Sequence, residues 1–401
     1  MSKYSNNVKK MLAVAIFMNL SLFTPIETVY FCYKGVPMEI ISILNLIVPI
    51  SCAVLEIPTG VIGDCIGRKN TLSISVGSFA LSSFILIFAN NIPMYFLVYI
   101  IEGIGWSFFS GNTDAIIVEE VKGTSFNLGA QFAFFYAGFS IAPIIAGLVN
   151  STLIKSTNGD VFRTLIIITF IFKLCGFICT FFINIKSKII SNSSEAKKLF
   201  KSCLKKVILE KQSIYIIIYE ATGRLQFYIP VLTQSMLNKN GFNIALFGVL
   251  YTGTTVITVV AQYLSNKILE KYNSEFVFKN STLILVFSIV LMLTNNNILI
   301  ILGFSLISII GPIRNLPLTL LKNQLIDDKT RSTYLSIISF LVLSLNFIML
   351  SLVGFIFASS RIGGLLLLMI MVMVGGFISI KNLIRKPQAE MLEIDASNEL
   401  K

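Results

Sequence analysis

Apolar runs of about 20 residues, separated by short polar segments, recur along the whole chain and constrain its fold more than any other feature. An α-helix of that length crosses about 30 Å, which is the thickness of the hydrocarbon core of a bilayer. A transmembrane β-barrel would show shorter segments of alternating polarity instead. Only 13% of the residues are charged, against about 25% in soluble domains. The sequence therefore predicts an all-α polytopic membrane protein.

The apolar runs divide the chain into two sets of six, with a basic segment between them. The twelve runs are 10–33, 38–63, 71–90, 94–117, 124–149, 161–185, 213–236, 242–266, 276–294, 297–320, 331–357 and 361–384. We predict an N-terminal six-helix bundle in 1–185, a cytoplasmic linker rich in lysine in 186–212, a C-terminal six-helix bundle in 213–386 and an acidic cytoplasmic tail in 387–401.

The distribution of basic residues predicts the orientation. If the N-terminus is cytoplasmic, most of the 32 Lys and Arg residues fall into segments on the cytoplasmic side, as membrane proteins generally arrange them. We therefore expect both termini in the cytoplasm. This bias also accounts for the net charge of +12, so the charge gives no reason to expect a nucleic-acid partner.

The residue types and motifs that the sequence lacks limit the kinds of reaction and binding site that we expect. The chain contains no histidine, so proton transfer would fall to carboxylates. It has no paired cysteine motif for a metal and no glycine-rich ATP-binding loop of the G-x-x-x-x-G-K-[ST] type. We therefore expect neither an enzyme nor a metal or cofactor, and we expect that an ion gradient, not ATP, supplies the energy.

A glycine-spaced acid followed by two bases separates the second and third runs. The residues of this motif are Gly60, Gly63, Asp64, Gly67, Arg68 and Lys69. We expect a short, tight turn at the membrane surface. The pattern G-x-x-x-D-x-x-G-R-K, at this position, resembles the signature loop of the major facilitator superfamily, whose members are secondary transporters with twelve spans. The resemblance implies that fold for the whole chain.

The resemblance also implies a gating role for the motif. Asp64 would face the start of span eleven, near 331–336, and Arg68 would pair with Asp114 at the inner end of span four. These contacts would latch the two halves in the outward-facing state. The alternative is that Arg68 and Lys69 only set the topology. The second-half copy of the loop is degenerate, because Asn266 stands where Asp64 stands in the first half.

Span five carries a second motif of small residues around a proline. Its members are Gly138, Ala142, Pro143, Ala146 and Gly147. The motif resembles the antiporter motif of proton-coupled exporters in the superfamily, with alanine for glycine at two positions. The alternative is ordinary close packing between helices, for which small residues four apart are widely used. A departure lies in span four, where Tyr99 occupies the position of an arginine in many exporters.

Ionisable residues inside apolar spans are costly in lipid and are therefore candidates for a proton or substrate site. The candidates are Glu27, Glu56, Glu102, Glu220, Arg224 and Arg314. The resemblance implies that spans one, four, seven and ten, which carry all of these except Glu56, line the central cavity. Glu220 and Arg224, four residues apart, could instead neutralise each other. Lys173 lies on a peripheral span, where we expect a structural role. Arg314 lies between Pro312 and Pro317, in a helix that we expect to be broken.

The leading hypothesis is a transporter of the bacterial plasma membrane that exports small amphiphilic compounds by proton-coupled antiport. Drugs, antibiotics or peptide-like products fit the aromatic content of the cavity-lining spans. The alternatives are a proton-coupled importer of a polar metabolite and a non-transporting sensor with the same fold. The expected partners are a small-molecule substrate, protons and the lipid bilayer, and we expect a monomer.

Overall fold

The computed structural model of the chain describes residues 4–109, 112–121, 124, 126, 128–154, 158–184, 204–205, 207–324 and 331–383. Those residues form fifteen α-helices. The helices are α1 Asn6–Asn19, α2 Glu27–Tyr33, α3 Met38–Ile66, α4 Arg68–Phe88, α5 Ile92–Phe109, α6 Asn112–Val121, α7 Leu128–Leu153, α8 Gly159–Phe181, α9 Lys211–Arg224, α10 Ile229–Lys239, α11 Ala245–Lys271, α12 Ser274–Leu293, α13 Asn297–Gln324, α14 Arg331–Ser359 and α15 Arg361–Leu383.

The helices confirm the all-α membrane fold. Within the described residues, eleven stretches are long and apolar enough to cross a bilayer. They correspond to all the predicted runs except the seventh. The run 213–236 falls on α9 and α10, which have 14 and 11 residues and are each too short to span alone. The chain is therefore helical at all twelve predicted positions.

Two of the predicted spans are interrupted by a 3₁₀ turn. In span one, α1 ends at Asn19 and the turn Thr24–Ile26 precedes α2. In span seven, the turn Leu225–Tyr228 connects α9 directly to α10. Breaks at membrane depth require other partners for the freed backbone groups. They also bring side chains of the interrupted segment to the interior of the protein.

The expectation of a tight turn around Gly60–Lys69 is only partly right. The helix α3 continues through Gly60, Gly63 and Asp64 to Ile66, so Gly63 is helical and does not form the turn. Gly67 alone connects α3 to α4, and its φ of 85° lies in the left-handed region that favours glycine. The side chains at 56, 60, 63 and 64 lie outside the described part of the structure.

The expected break of span ten is absent. Pro312 and Pro317 both lie inside α13, which the structure describes as one helix from Asn297 to Gln324. A proline inside a membrane helix is tolerated where neighbouring groups satisfy the backbone. Arg314 therefore projects from a continuous helix.

The described residues group into two compact units. The first contains the residues of 1–195 together with Pro230–Val259, and the second contains those of 196–229 together with Val260–Lys401. In the first unit, α5 packs on α3 and α4, while α1 packs on α7 and α8. In the second unit, α15 packs on α9, α12 and α14. The predicted domain boundaries at 185 and 213 stay a prediction.

Glycines permit the closest of these approaches. A Cβ atom at Gly103 of α5 would lie 2.4 Å from the Cβ of Ser51 in α3. In the second unit, a Cβ at Gly375 of α15 would lie 2.2 Å from a methyl carbon of Thr222 in α9. The helices can therefore approach closely at both points, as small residues allow in membrane proteins.

Candidate functional site

A polar cavity lies inside the first compact unit, among α2, α3, α4, α5 and α8. Its volume is about 270 Å³. The residues that line it are Ser21, Phe23, Thr24, Glu27, Asn45, Val48, Pro49, Ser82, Ser83, Leu86, Val98, Tyr99, Glu102, Ile166, Thr169 and Lys173. Three of these residues are acidic or basic, namely Glu27, Glu102 and Lys173. A cavity with two carboxylates and one ammonium group, at the depth of membrane-spanning helices, is a candidate ion-binding site.

Glu27 reaches the cavity because span one is interrupted just before it. It is the first residue of α2, directly after the turn Thr24–Ile26, which has Pro25 near its start, where proline is favoured. The hydroxyl of Tyr99 donates a hydrogen bond to its carboxylate. The Glu27 carboxylate therefore has a fixed donor inside the protein.

Side chains from other helices satisfy the backbone at the interruption. The N–H of Leu22 donates to Oγ1 of Thr169 in α8 over 3.0 Å. The carbonyl of Leu22 accepts a hydrogen bond of 2.6 Å from Nδ2 of Asn150 in α7. The N–H of Thr28 donates to Oε1 of Gln234 in α10 over 3.1 Å. These bonds replace part of the helical hydrogen bonding and hold Glu27 in place.

Glu102 and Lys173 complete the charge distribution around Glu27. Glu102 lies on α5, next to the close contact between Gly103 and α3. Both Glu102 and Lys173 are near enough to Glu27 for electrostatic interaction. Lys173 is 8% exposed and makes neither a hydrogen bond nor an ion pair within the described part of the chain. The cavity therefore holds a buried ammonium group opposite two carboxylates.

The position of Lys173 differs from the sequence-based expectation. We expected a structural role on a peripheral span, whereas the structure brings this side chain to the same cavity as Glu27 and Glu102. The helix α8 is apolar on all sides, so its sequence does not show which face turns inward. The one available signal is that Lys173 lies far from both ends of α8.

The second compact unit contains a separate group of charges on α9 and α13. Glu220 is 6% exposed and lies between two cations. Its Oε1 accepts from Nη2 of Arg224 over 2.8 Å, and its Oε2 accepts from Nζ of Lys322 over 2.9 Å. The hypothesis that Glu220 and Arg224 pair with each other is confirmed, and Lys322 is an additional partner that the sequence did not indicate.

Arg314 lies near this group but has no carboxylate partner among the described residues. It is 2% exposed, its guanidinium carbon lies 3.9 Å from the ring centroid of Tyr219, and it donates to the carbonyl of Tyr219. A Cβ atom at Gly223 would lie 2.0 Å from Nη1 of Arg314. The guanidinium group therefore occupies space that only glycine leaves free.

The bases of the gating motif have different partners from those expected. Arg68 forms an ion pair with Glu119 of α6 at 3.6 Å, whereas Asp114 accepts a hydrogen bond of 2.6 Å from the hydroxyl of Tyr136. The expected pairing of Arg68 with Asp114 is therefore wrong. Asp114 lies about one and a half turns before Glu119, on a different part of the helix surface. Lys69 donates to the carbonyl of Phe181 over 2.9 Å.

The small residues of span five pack against α11 within the first unit. A Cβ atom at Gly147 would lie 2.4 Å from Oγ1 of Thr252 and 2.7 Å from the carbonyl oxygen of Gly248. Thr252 in turn donates to the carbonyl of Ile144 over 3.1 Å. Ala142 and Ala146 are buried. The motif therefore allows two helical backbones to touch.

Comparisons with known proteins agree with this architecture. The family model of the Major Facilitator Superfamily matches residues 11–342. No curated protein sequence matches the chain. A solved structure of the nucleoside transporter NupG, in a mutant form, is similar with a TM-score of 0.81 and 12% identity, and the match covers 94% of this chain and 99% of that one.

Two further solved structures show the same fold at similarly low identity. A D-xylose–proton symporter gives a TM-score of 0.73 at 12% identity, over 93% of this chain and 95% of its own. A bacterial homologue of the human lysosomal transporter Spinster, inward-facing and unoccupied, gives 0.71 at 11% identity, over 95% and 98%. These similarities concern the fold and leave the substrate open.

Proposed function

Since the chain belongs to the major facilitator superfamily of secondary transporters, we propose that it exports a small amphiphilic compound in exchange for protons. Such proteins work by alternating access, in which two helical bundles move around a site near the midplane of the bilayer. The observation that carries the proposal is the charged cavity of the first unit. Glu27 and Glu102 are the proposed proton carriers.

The surroundings of Glu27 support a role in proton binding. A carboxylate inside the membrane is costly when it is charged, and a proton removes that charge. The chain has no histidine to take this part. Tyr99 donates to the Glu27 carboxylate, and Lys173 offsets one negative charge of the cavity. Binding and release of a single proton therefore change the cavity between a neutral and a negatively charged state.

Packing in span five supports export as the direction of transport. Gly147 brings the backbone of α7 into contact with α11, and the small residues of this motif resemble those of proton-coupled exporters. The ion pair between Arg68 and Glu119 supports an inner gate at the base of α4. Asp64 lies two residues before the end of α3, next to that gate, and Glu56 lies about two turns earlier in the same helix. We propose that both take part in gating.

The remaining parts of the proposal follow from topology and composition. We propose a monomer in the bacterial plasma membrane with both termini in the cytoplasm. The proton gradient supplies the energy, and no cofactor, metal or nucleic acid takes part. Phe23 is the aromatic side chain of span one that lines the cavity, and Tyr30 and Phe31 pack with it edge to face.

Proteoliposomes that contain a pH-sensitive dye test the coupling and its direction together. A panel of fluorescent amphiphiles of positive, neutral and negative charge is added outside, and the luminal pH is followed. An antiporter that admits an amphiphile releases luminal protons, so the lumen becomes more alkaline. The response should be lost in Glu27→Gln and Glu102→Gln. The exposed Glu270→Gln of α11 is the matched control and should behave like the unmodified protein.

Two results of this assay would contradict the proposal. An amphiphile that enters at the same rate without a luminal pH change would show that transport is not proton-coupled. Equal responses in Glu27→Gln, Glu102→Gln and Glu270→Gln would show that the cavity carboxylates are not the proton carriers.

The second candidate is proton-coupled import of a polar metabolite. The cavity favours it in one respect, because Ser21, Ser82, Ser83 and Asn45 give it a polar lining. One structurally similar protein is a D-xylose–proton symporter. A symporter would acidify the lumen when a sugar or nucleoside enters, so the same dye assay separates the two candidates by the sign of the pH change.

A further inference from the structure

The charged side chains around Glu220 in the second unit do not balance. Arg224, Arg314 and Lys322 are cations, and Glu220 is the one carboxylate that the described residues place among them. Charged groups within a membrane protein need partners, because each unpaired charge is costly to remove from water. The group therefore carries an excess of two positive charges, and we refer to these four residues as the basic cluster.

The hydrogen bonds show which part of the cluster is free to bind a ligand. Both oxygens of Glu220 are already used, one by Arg224 and the other by Lys322. Arg224 uses Nε and Nη2 on the same oxygen, which leaves Nη1 without a protein acceptor in the described structure. Its side chain is 32% exposed, whereas that of Lys322 is 14% exposed. Arg224 is therefore the accessible member.

The fold places Arg224 at the interruption of span seven. It is the last residue of α9, immediately before the turn Leu225–Tyr228. A helix that ends inside a membrane protein lets its terminal side chains project into a cavity instead of into lipid. Arg314 is fixed behind this point, on the ring of Tyr219 and against Gly223, where it adds positive charge without being exposed.

We propose that the basic cluster is the binding site for an anionic group on the transported compound, a carboxylate or a phosphate. The inference rests on the proposed transport function and specifies its substrate class as amphiphiles with an anionic head group. Arg224 is the primary ligand, since a guanidinium group forms strong hydrogen bonds to both kinds of anion. Lys322 assists it, and Glu220 competes with the incoming anion for the same two cations.

Direct binding tests the site without any gradient. The purified chain is placed in nanodiscs of phosphatidylcholine and titrated with four probes that share a naphthalene ring. These are 1-naphthaleneacetate and 1-naphthyl phosphate as anions, 1-naphthaleneacetamide as the neutral probe and 1-naphthylmethylamine as the cation. We expect both anions to bind at least about tenfold more tightly than the amide, which is the effect of one charge-assisted hydrogen bond. Equal affinity for all four would overturn the proposal.

Variants separate recognition from folding. Arg224→Gln should weaken anion binding about tenfold and leave binding of the amide unchanged, while Arg224→Lys should retain part of the preference. Glu220→Gln removes the competing carboxylate and should strengthen anion binding, a gain that a purely structural role does not produce. Lys267→Gln, an exposed lysine in the same unit, is the control. Weaker anion binding in Glu220→Gln, with the melting temperature unchanged, would contradict the proposal.

One further experiment distinguishes a site for the transported compound from a site for anionic lipid. The titrations are repeated in nanodiscs that contain phosphatidylglycerol, and unchanged anion affinity is the expected result for a cargo site. Loss of that affinity would assign the cluster to anionic lipid and overturn the proposal. Anion binding without any proton response in the proteoliposome assay would refute antiport while leaving this site standing, so the two proposals fail separately.

Discussion

A series of three glycine-to-alanine variants tests whether the small residues of span five are required for helix contact. The predicted damage follows from what a new methyl group would meet. At Gly147 it would lie 2.4 Å from Oγ1 of Thr252 and 2.7 Å from the backbone oxygen of Gly248. A backbone atom cannot rotate away, so α7 and α11 must move apart.

The two comparison sites have progressively more space. At Gly138 the methyl group would lie 3.1 Å from carbon atoms of Ala15 and Leu12, which can give by a few tenths of an ångström. At Gly253 of α11 nothing lies within 4 Å. Overpacking a tight contact costs about 1–3 kcal/mol. Replacing an unobstructed helical glycine by alanine gains about 0.5–1 kcal/mol.

The expected order of stability is therefore Gly253→Ala above the unmodified protein, Gly138→Ala slightly below it and Gly147→Ala lowest. Thermal unfolding of the purified protein in one detergent measures the order, and the proteoliposome assay measures transport on the same samples. A Gly147→Ala protein that melts at or above the temperature of Gly253→Ala would refute the contact between α7 and α11.

Three further predictions concern the charged residues. Arg68→Glu should impair transport. It should change the free energy of unfolding by no more than about 1 kcal/mol, because the ion pair with Glu119 is partly exposed. The double variant Arg68→Glu/Glu119→Arg should restore transport. Asp64→Asn should slow transport far more than Asn266→Ala; equal effects in a transport assay would contradict the latch. Lys173→Met should abolish the luminal pH response, since it leaves the charges of both cavity carboxylates uncompensated. Lys173→Arg should keep the response. A full response in Lys173→Met would contradict the role of Lys173 in offsetting the carboxylate charge.

Hydropathy was sufficient to predict the eleven stretches that can cross a bilayer, because burial in lipid imposes an apolar composition on each helix whatever it packs against. It could not predict where the helices are interrupted. The break before Glu27 is supported by side chains such as Asn150 and Thr169, which come from distant parts of the sequence. The prolines of span ten suggested a break that the structure does not contain.

Charged residues were easy to identify and harder to assign to partners. Glu27 and Glu102 were predicted as site residues, and the structure places both at one cavity. Lys173 was not predicted there, because the helical face on which a residue lies cannot be read from an evenly apolar helix. The expectation that Arg68 pairs with an acidic residue was correct. Whether that residue is Asp114 or Glu119 depends on the rotation of α6 about its axis, which the local sequence does not specify.

The single residue between α3 and α4 has a mechanical consequence. Gly67 is the whole connection between a helix of 29 residues and one of 21 residues, and its conformation is one that other residues adopt at a cost. A connection of one residue is too short to act as a flexible loop. A tilt of α3 must therefore be accompanied by a movement of α4. We therefore expect the two helices to move together, with Arg68 and Lys69 at the point where they are connected.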